Sequence, residues 1–334
     1  MTPEPHRPPL TWVVGGGGLL GQHVVTGLTG RAPLHLAPTV AWGRPEEARR
    51  VLADTARALV DAAGDRPWQV IWCAGAGVTG TSEAALEAEH SMMEATLEGL
   101  ASPRPRGASE RGAFFLASSA GAVYAGARPS PFHERSPVAP LGAYGVAKLR
   151  AEATVSHWSR QTGTPVAIGR IANLYGPGQN LSKAQGLIST LCAAHLDRRP
   201  AMIWVSLDTL RDYLFAPDCA ALVLDLMDRL RAEASRPAHG PTTAPIVTKV
   251  IATQRAITIG AVIAELRRIF RRRPTIVLGA SPTSSLQSRD LSLVSRVWPE
   301  LDRRTLTTLP AGVAATLADL QRRQQRGEAA PASR

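Results

Sequence analysis

Short, almost wholly apolar runs alternate along this chain with longer stretches in which apolar residues recur every three to four positions. LTWVV, QVIWCAGAG, AFFLASSA and PVAIGRIAN are the short runs, and they read as strands buried on both faces. Between them EEARRVLADTARALVDAAG, TSEAALEAEHSMMEATLEGL and GVAKLRAEATVSHW carry a helical period. TVAWG, Thr39 to Gly43, is expected to be the second strand of the series. Strand and helix alternating in this way predict an α/β fold with a doubly wound parallel sheet, Rossmann-like in its layout.

Beyond Asn173 the pattern changes. LYGPGQN is a Gly/Pro turn, LISTLCAAHLDRR is helical, and the residues from Val247 to Leu320 hold two further helical patterns with short strands. The expected organisation is a sheet domain over residues 1–178, with 205–234 returning to it, and a smaller C-terminal α/β lobe for a substrate over 179–204 and 235–320. The polar end, 321–334, is expected to be disordered.

Composition excludes several classes. The 334 residues contain no apolar run of about 18, and MTPEPHRPPL carries prolines where a signal peptide needs an apolar segment, so no membrane span and a cytoplasmic location are expected. Cys73, Cys192 and Cys219 are far apart and form no C-x-x-C, so neither a disulfide framework nor a metal site follows. A net charge of +11 raises the question of nucleic acid, most of all at Arg267 to Arg273. That cluster follows the apolar-periodic TIGAVIAEL and decorates a helix end, where cations suit the dipole, so nucleic-acid binding is disfavoured.

The first strand runs into four consecutive glycines. Gly15, Gly18 and Gly21 fit G-x-x-G-x-x-G, and Gly16, Gly18 and Gly21 fit G-x-G-x-x-G. A strand feeding such a turn lets bare backbone approach a pyrophosphate at the next helix N-terminus, which begins near Leu19 and Leu20. Ala74 and Gly75, small residues at the end of QVIWCAGAG, leave space for a dinucleotide to lie across the sheet. Arg44 follows the expected second strand where an acidic residue would hold an adenosine ribose; it suits a 2′-phosphate, so the cofactor is NAD or NADP. An ordinary surface arginine would read the same way.

YGVAK brings together two scarce residues, since the chain has four tyrosines and three lysines. Chance alone gives a Tyr followed four places later by Lys about 0.04 of the time. On a helix Tyr144 and Lys148 share one face, where the ammonium favours the phenolate and makes the phenol a usable general acid or base. A solvated lysine beside a half-buried tyrosine is the bland alternative.

With the glycine turn, SSAGAVYA, YGVAK, GRIANLYGPGQ and RDYLFAPDCA in this order, residues 10 to 320 resemble the extended short-chain dehydrogenase/reductases, and within them the NAD-dependent epimerase/dehydratases of nucleotide sugars. The resemblance implies that Tyr144 exchanges a proton with a sugar hydroxyl or ketone and that Lys148 binds the nicotinamide ribose. It implies a substrate contact from Asn173, a phosphate grip from Arg211 and a homodimer through the Tyr-bearing helix, while Ser118 and Ser119 are expected at the substrate because they lie at the carboxyl end of AFFLASSA, where such sheets bind ligands. The family's usual Ser or Thr, three residues before the Val of VY, is Ala120 here, which leaves Ser119 as the nearest catalytic hydroxyl. Gly121 and Ala122 stand where dehydratases carry acidic residues, so an epimerase or ketoreductase is expected; a non-catalytic NAD(P)-binding module of the same fold is the alternative.

Overall fold

The computed structural model describes residues 7–75, 77–78, 80–101, 111–181, 186–236, 244–270, 275–279 and 288–327. In chain order the first half runs β1 (Leu10–Val14), α1 (Leu19–Leu28), α2 (Pro45–Ala63), β2 (Trp68–Trp72), α3 (Glu83–Ala101), β3 (Phe114–Ser119), α4 (Ala120–Val123) and α5 (Ala143–Thr162). Then come β4 (Val166–Ile171), β5 (Asn173–Tyr175), α6 (Leu187–Leu196), β6 (Ala201–Ile203), β7 (Leu210–Arg211), β8 (Tyr213–Phe215) and α7 (Ala216–Ala234). The chain closes with β9 (Ile246–Ile251), β10 (Ile257–Thr258), α8 (Ile259–Phe270), β11 (Ile276–Leu278), a 3-10 turn (Pro299–Asp302) and α9 (Leu309–Gln325).

Five strands make one parallel sheet in the order β1-β2-β3-β4-β9. Their side chains alternate between two apolar layers, as the two-residue period of a strand requires. Trp12, Val14, Val70, Phe114, Leu116 and Ile168 face the layer of α2, α3 and α5. Val13, Ile71, Phe115, Ala167 and Ile171 face the layer of α1 and α7. Helices on both faces are the reason the strands read as continuous apolar runs, and the doubly wound sheet expected from the alternation is what forms. A third core, around Ile188, Leu191, Val262, Leu266 and Val313, belongs to the smaller lobe of α6, α8 and α9 with the β6–β11 pair.

Three expectations need correction. Thr39–Gly43 is not a strand; among the described residues the sheet continues beyond β1 as one parallel bridge between Thr11 and Leu34. The Thr11 N–H donates to the Pro33 carbonyl at 2.9 Å and the His35 N–H to the Thr11 carbonyl at 2.7 Å, and Pro33 and Pro38 bracket the bridge too closely for more rungs. Thr39–Gly43 closes instead into turns, with the Trp42 N–H on Val40 and the Arg44 N–H on Ala41.

The second correction concerns residues 235–320. Ile246–Ile251, after the crossover helix α7, pairs in parallel with β4 and completes the main sheet, while Leu291 and Leu293 pack into the same layer as α1 and α7. Third, Gln321–Gln325 is helical, the last turn of α9, whose Val313 and Leu320 are buried. Residues 328–334, and Arg271–Arg273 of the basic cluster, lie outside the described residues. No described helix is long and apolar enough to cross a membrane.

The α2–α3 contact is close because of Gly99. A Cβ there would lie 2.5 Å from the Ala53 carbonyl oxygen and 2.8 Å from the Ala56 Cβ. Gly99→Ala adds helix propensity of about 1 kcal/mol but forces backbone apart, an overpacking cost of about 1–3 kcal/mol. The clash is with backbone and prevails, so urea unfolding is expected to report a net loss of about 1–2 kcal/mol; a stabilised variant would mean that the two helices part without cost.

Candidate active site

At the carboxyl end of β1, Gly15 sits at φ +80, and a Cβ there would lie 2.7 Å from the Ala74 backbone. A Cβ on Gly21 would lie 2.1 Å from the Gly15 carbonyl oxygen, so the turn folds onto the first turn of α1 only because both positions are bare. Gly18 precedes α1 with no side-chain cap, and no acidic residue stands in the first turn. The outer edge is open, since nothing lies within 4 Å of a Cβ on Gly17. Unspent N–H groups at Leu19, Leu20 and Gly21, on a helix N-terminus without a competing carboxylate, fit the diphosphate of a dinucleotide.

This cradle opens into a cavity of about 460 Å³, largely apolar, running across the carboxyl ends of the strands. Gly15, Gly18, Ala74, Gly75, Tyr144 and Lys148 all line it, so the sheet gathers six of the residues singled out in the sequence into one space. Lys148 Nζ donates to the Ala117 carbonyl at 3.3 Å and lies 5.7 Å from the centroid of the Tyr144 ring. Gly77 brings the loop after β2 close to the phenol: a Cβ there would be 3.2 Å from the Tyr144 ring.

What turns Tyr144 and Lys148 toward the cavity is a buried cluster one turn further along α5. Arg170 on β4 grips Glu152 through Nε and Nη2, with the closest contact at 2.7 Å, and its Nη1 donates to the Tyr124 hydroxyl at 2.8 Å. The Tyr124 hydroxyl in turn donates to the His133 carbonyl, and the Ser118 hydroxyl donates to Glu152 at 2.6 Å. Burial opposes the Arg170 charge, but the hydrogen bonds and charge of Glu152 outweigh it and raise its pKa above the ordinary value. Burial pushes the Tyr124 phenol up.

The remaining expected residues lie elsewhere. Ser118 is 4% exposed and committed to Glu152, so it is not in the cavity, contrary to expectation; the strand's alternation points it into the α5 side. Ser119 is half-buried and caps α4, accepting the Ala122 N–H at 3.3 Å, while Ala120 is fully buried. Asn173, half-buried, has its Oδ1 3.8 Å from where a Cβ on Gly121 would be. Arg211 is buried and donates to the Leu210 carbonyl at 2.8 Å; desolvation lowers its pKa although the Asp290 carboxylate works against the shift. Arg44 does not line the cavity. It pairs with Glu47 at 2.7 Å with its side chain 76% exposed.

A family model described as the NAD dependent epimerase/dehydratase family matches residues 11–238. The chain belongs to this family. The UDP-glucose 4-epimerase of Azospirillum brasilense is 33% identical over 132 residues, which is 35% of this chain and 38% of that protein. The chain spans only about a third of the length of the curated relatives it matches. Among solved structures, the UDP-glucose 4-epimerase of Thermotoga maritima with UDP-glucose superposes with a TM-score of 0.73 at 20% identity, over 94% of this chain and 99% of that one. The Thermus thermophilus UDP-glucose 4-epimerase with NAD gives 0.71 at 17% identity, over 93% and 98%. At these identities the likeness shows the fold.

In this epimerase/dehydratase family member several cavity residues escaped the sequence reading. Trp42, Pro45, Glu89 and Met92 all line it. Glu89 Oε1 accepts the Gly77 N–H at 2.8 Å and so holds the loop that approaches Tyr144. The available signal was the helical stripe Ala85, Ala88, Glu89 and Met92 on α3, in which one carboxylate interrupts an apolar face. Cys73, also on the wall, has its thiol pushed up to about 12 by burial, as suits a packing residue. Tyr213, next to Arg211, is pushed up to about 12 by burial as well.

Two stability measurements follow. Glu152→Ala strands Arg170 in the interior and is expected to cost about 3–5 kcal/mol in urea unfolding; a loss below about 1 kcal/mol would mean the pair is solvated. His90 is buried, and desolvation lowers its pKa from 6.5 despite the Glu94 carboxylate 3.2 Å away. The folded state therefore resists a proton that the unfolded chain accepts, so His90 withdraws stability as pH falls from about 6.5 toward its lower folded value. His90→Gln is expected to flatten the fall of Tm between about pH 7 and pH 5, to which His23 and His35, also lowered by burial, still contribute. An unaltered slope would show that His90 takes up its proton in the folded state as readily as in the unfolded one.

Proposed function

We propose that this protein is an NAD(P)-dependent epimerase or ketoreductase of a nucleotide sugar, working through Tyr144 and Lys148. The observation that carries the reading is that the phenol, the ammonium and the glycine cradle open into the same cavity. Leu19, Leu20 and Gly21 at the head of α1 hold the diphosphate, and Ala74 and Gly75 allow the dinucleotide across the sheet. Bound there, a nicotinamide would supply or take up the hydride at the sugar carbon. Tyr144 passes the proton at the oxygen on that carbon, and Lys148 stands beside it with its ammonium anchored on Ala117, where it would hold a ribose hydroxyl of the dinucleotide.

The NAD recorded with the Thermus thermophilus enzyme and the UDP-glucose recorded with the Thermotoga maritima enzyme support the cofactor and the substrate class. Arg211, buried beside Tyr213 with its charge incompletely balanced, suits the substrate diphosphate, and Asn173 the sugar. Arg44 keeps NADP open, because its surface pair with Glu47 is cheap to exchange for a 2′-phosphate. Val146, 56% exposed on α5, is an apolar position that a homodimer through this helix would cover.

A second reading, a non-catalytic NAD(P)-binding module, is favoured by one observation: Ala120 is fully buried where a catalytic hydroxyl is usual, and the hydroxyl of Ser119 is spent on capping α4. Tyr144→Phe separates the two. Turnover of UDP-sugars is expected to fall by at least ~100-fold while NAD binding, measured by calorimetry, persists. Equal turnover in the variant would refute the Tyr144 role, and no turnover of any nucleotide sugar by a wild-type protein that binds NAD would establish the second reading.

A further inference from the structure

In an open parallel sheet that carries a dinucleotide, the adenosine half lies beyond the first strand, where the end of the neighbouring strand offers a carboxylate to its ribose. Here that neighbour is reduced to the Leu34 bridge, and the chain ends it with His35 and the exposed Leu36. The nearest acidic residues, Glu46 and Glu47, belong to α2 and pair with Arg49 and Arg44. Among the described residues the carboxylate that lines the cavity is that of Glu89, which accepts the Gly77 N–H on the side of Tyr144.

Trp42 lines the same cavity as the glycine cradle, followed by Pro45 at the start of α2. Two tight turns hold it there, the Trp42 N–H on the Val40 carbonyl at 3.0 Å and the Arg44 N–H on the Ala41 carbonyl at 2.8 Å. The indole is 44% exposed, although the other tryptophans around the sheet, Trp12, Trp68, Trp72 and Trp158, are almost wholly buried. Ala88 and Met92 of α3 share the cavity with it and add apolar surface without a hydrogen-bonding group.

We infer that Trp42 is the platform on which the adenine base stacks. The loop that replaces the second strand thus recognises the face of the base, where a longer second strand would have offered a carboxylate to the ribose. A flat π-surface is indifferent to the exocyclic group of the purine and to a 2′-phosphate, so this end of the site holds the base by its face and leaves the choice between NAD and NADP to other residues. The inference rests on the dinucleotide part of the proposed function and not on Tyr144.

The test is calorimetric titration with ADP-ribose, NAD and nicotinamide mononucleotide, none of which requires turnover. Trp42→Ala is expected to weaken ADP-ribose and NAD by about 5- to 100-fold and to leave nicotinamide mononucleotide unchanged. Trp42→Phe is expected to stay within a few-fold of wild type, and nicotinamide hypoxanthine dinucleotide, which keeps the purine face but not the amino group, to bind wild type within a few-fold of NAD. ADP-ribose binding to Trp42→Ala at wild-type strength, or a large loss with the hypoxanthine analogue, overturns the platform while leaving the dinucleotide site intact. A wild-type protein that binds neither ADP-ribose nor NAD nor NADP overturns the dinucleotide reading itself, and the platform with it.

Discussion

The site depends on one buried ion pair. Tyr144, Lys148 and Glu152 stand at four-residue steps on one face of α5, so whatever fixes Glu152 fixes the other two. Arg170 from β4 and Ser118 from β3 together occupy the Glu152 carboxylate, and Tyr124 completes the donors and acceptors of the cluster. Burying two charges is costly, and the gain in net stability over an apolar pair is small. What the pair supplies is direction: a carboxylate held by two strands at once sets the rotation of α5, and the phenol and ammonium then face the strand ends.

The opposite side of the cavity is organised by the lack of side chains. Gly15 and Gly21 let the strand, the turn and the helix N-terminus approach more closely than any Cβ permits. Gly77 does the same for the loop beside Tyr144, and Glu89 secures that loop by its backbone N–H. The cavity thus lies between a wall of bare backbone suited to phosphate and a helix face carrying Tyr144 and Lys148.

The smaller lobe is fastened over this arrangement by polar contacts from distant parts of the chain. Asp319 of α9 accepts the Gly178 N–H at 2.9 Å, Arg323 donates to the Gln179 carbonyl at 3.0 Å, and His23 of α1 lies 3.1 Å from the Pro177 carbonyl. These contacts hold the Gly/Pro turn after β5 against α1, near the cradle. On the far edge of the sheet, buried Lys249 of β9 meets Asp302 at 2.8 Å and Ser295 at 2.8 Å, and Glu134 accepts from the Val250 and Arg296 N–H groups. The last third of the chain is thereby tied to both domains, which is why it does not separate cleanly into a lobe of its own.

Local chemistry was legible in the linear sequence. Apolar runs bounded by helical periods foretold four strands of the sheet and its doubly wound form, since burial on both faces leaves no polar positions to interrupt a strand. The glycine spacing and the scarce Tyr144–Lys148 pair foretold the two walls of the cavity, because each depends on neighbours within one or two turns. Tertiary structure decided everything that rests on distant partners. Thr39–Gly43 has strand-like residues but lost to the prolines and turns that, among the described residues, leave the Leu34 bridge alone on the side of β1 away from β2. Ser118 looked like a ligand to the substrate until Glu152, 34 residues on, claimed it. Glu89 left only the apolar helical stripe it interrupts, and Trp42 and the sheet position of Ile246–Ile251 carry no local signal at all, because exposure, cavity walls and strand order come into being only when separate segments pack together.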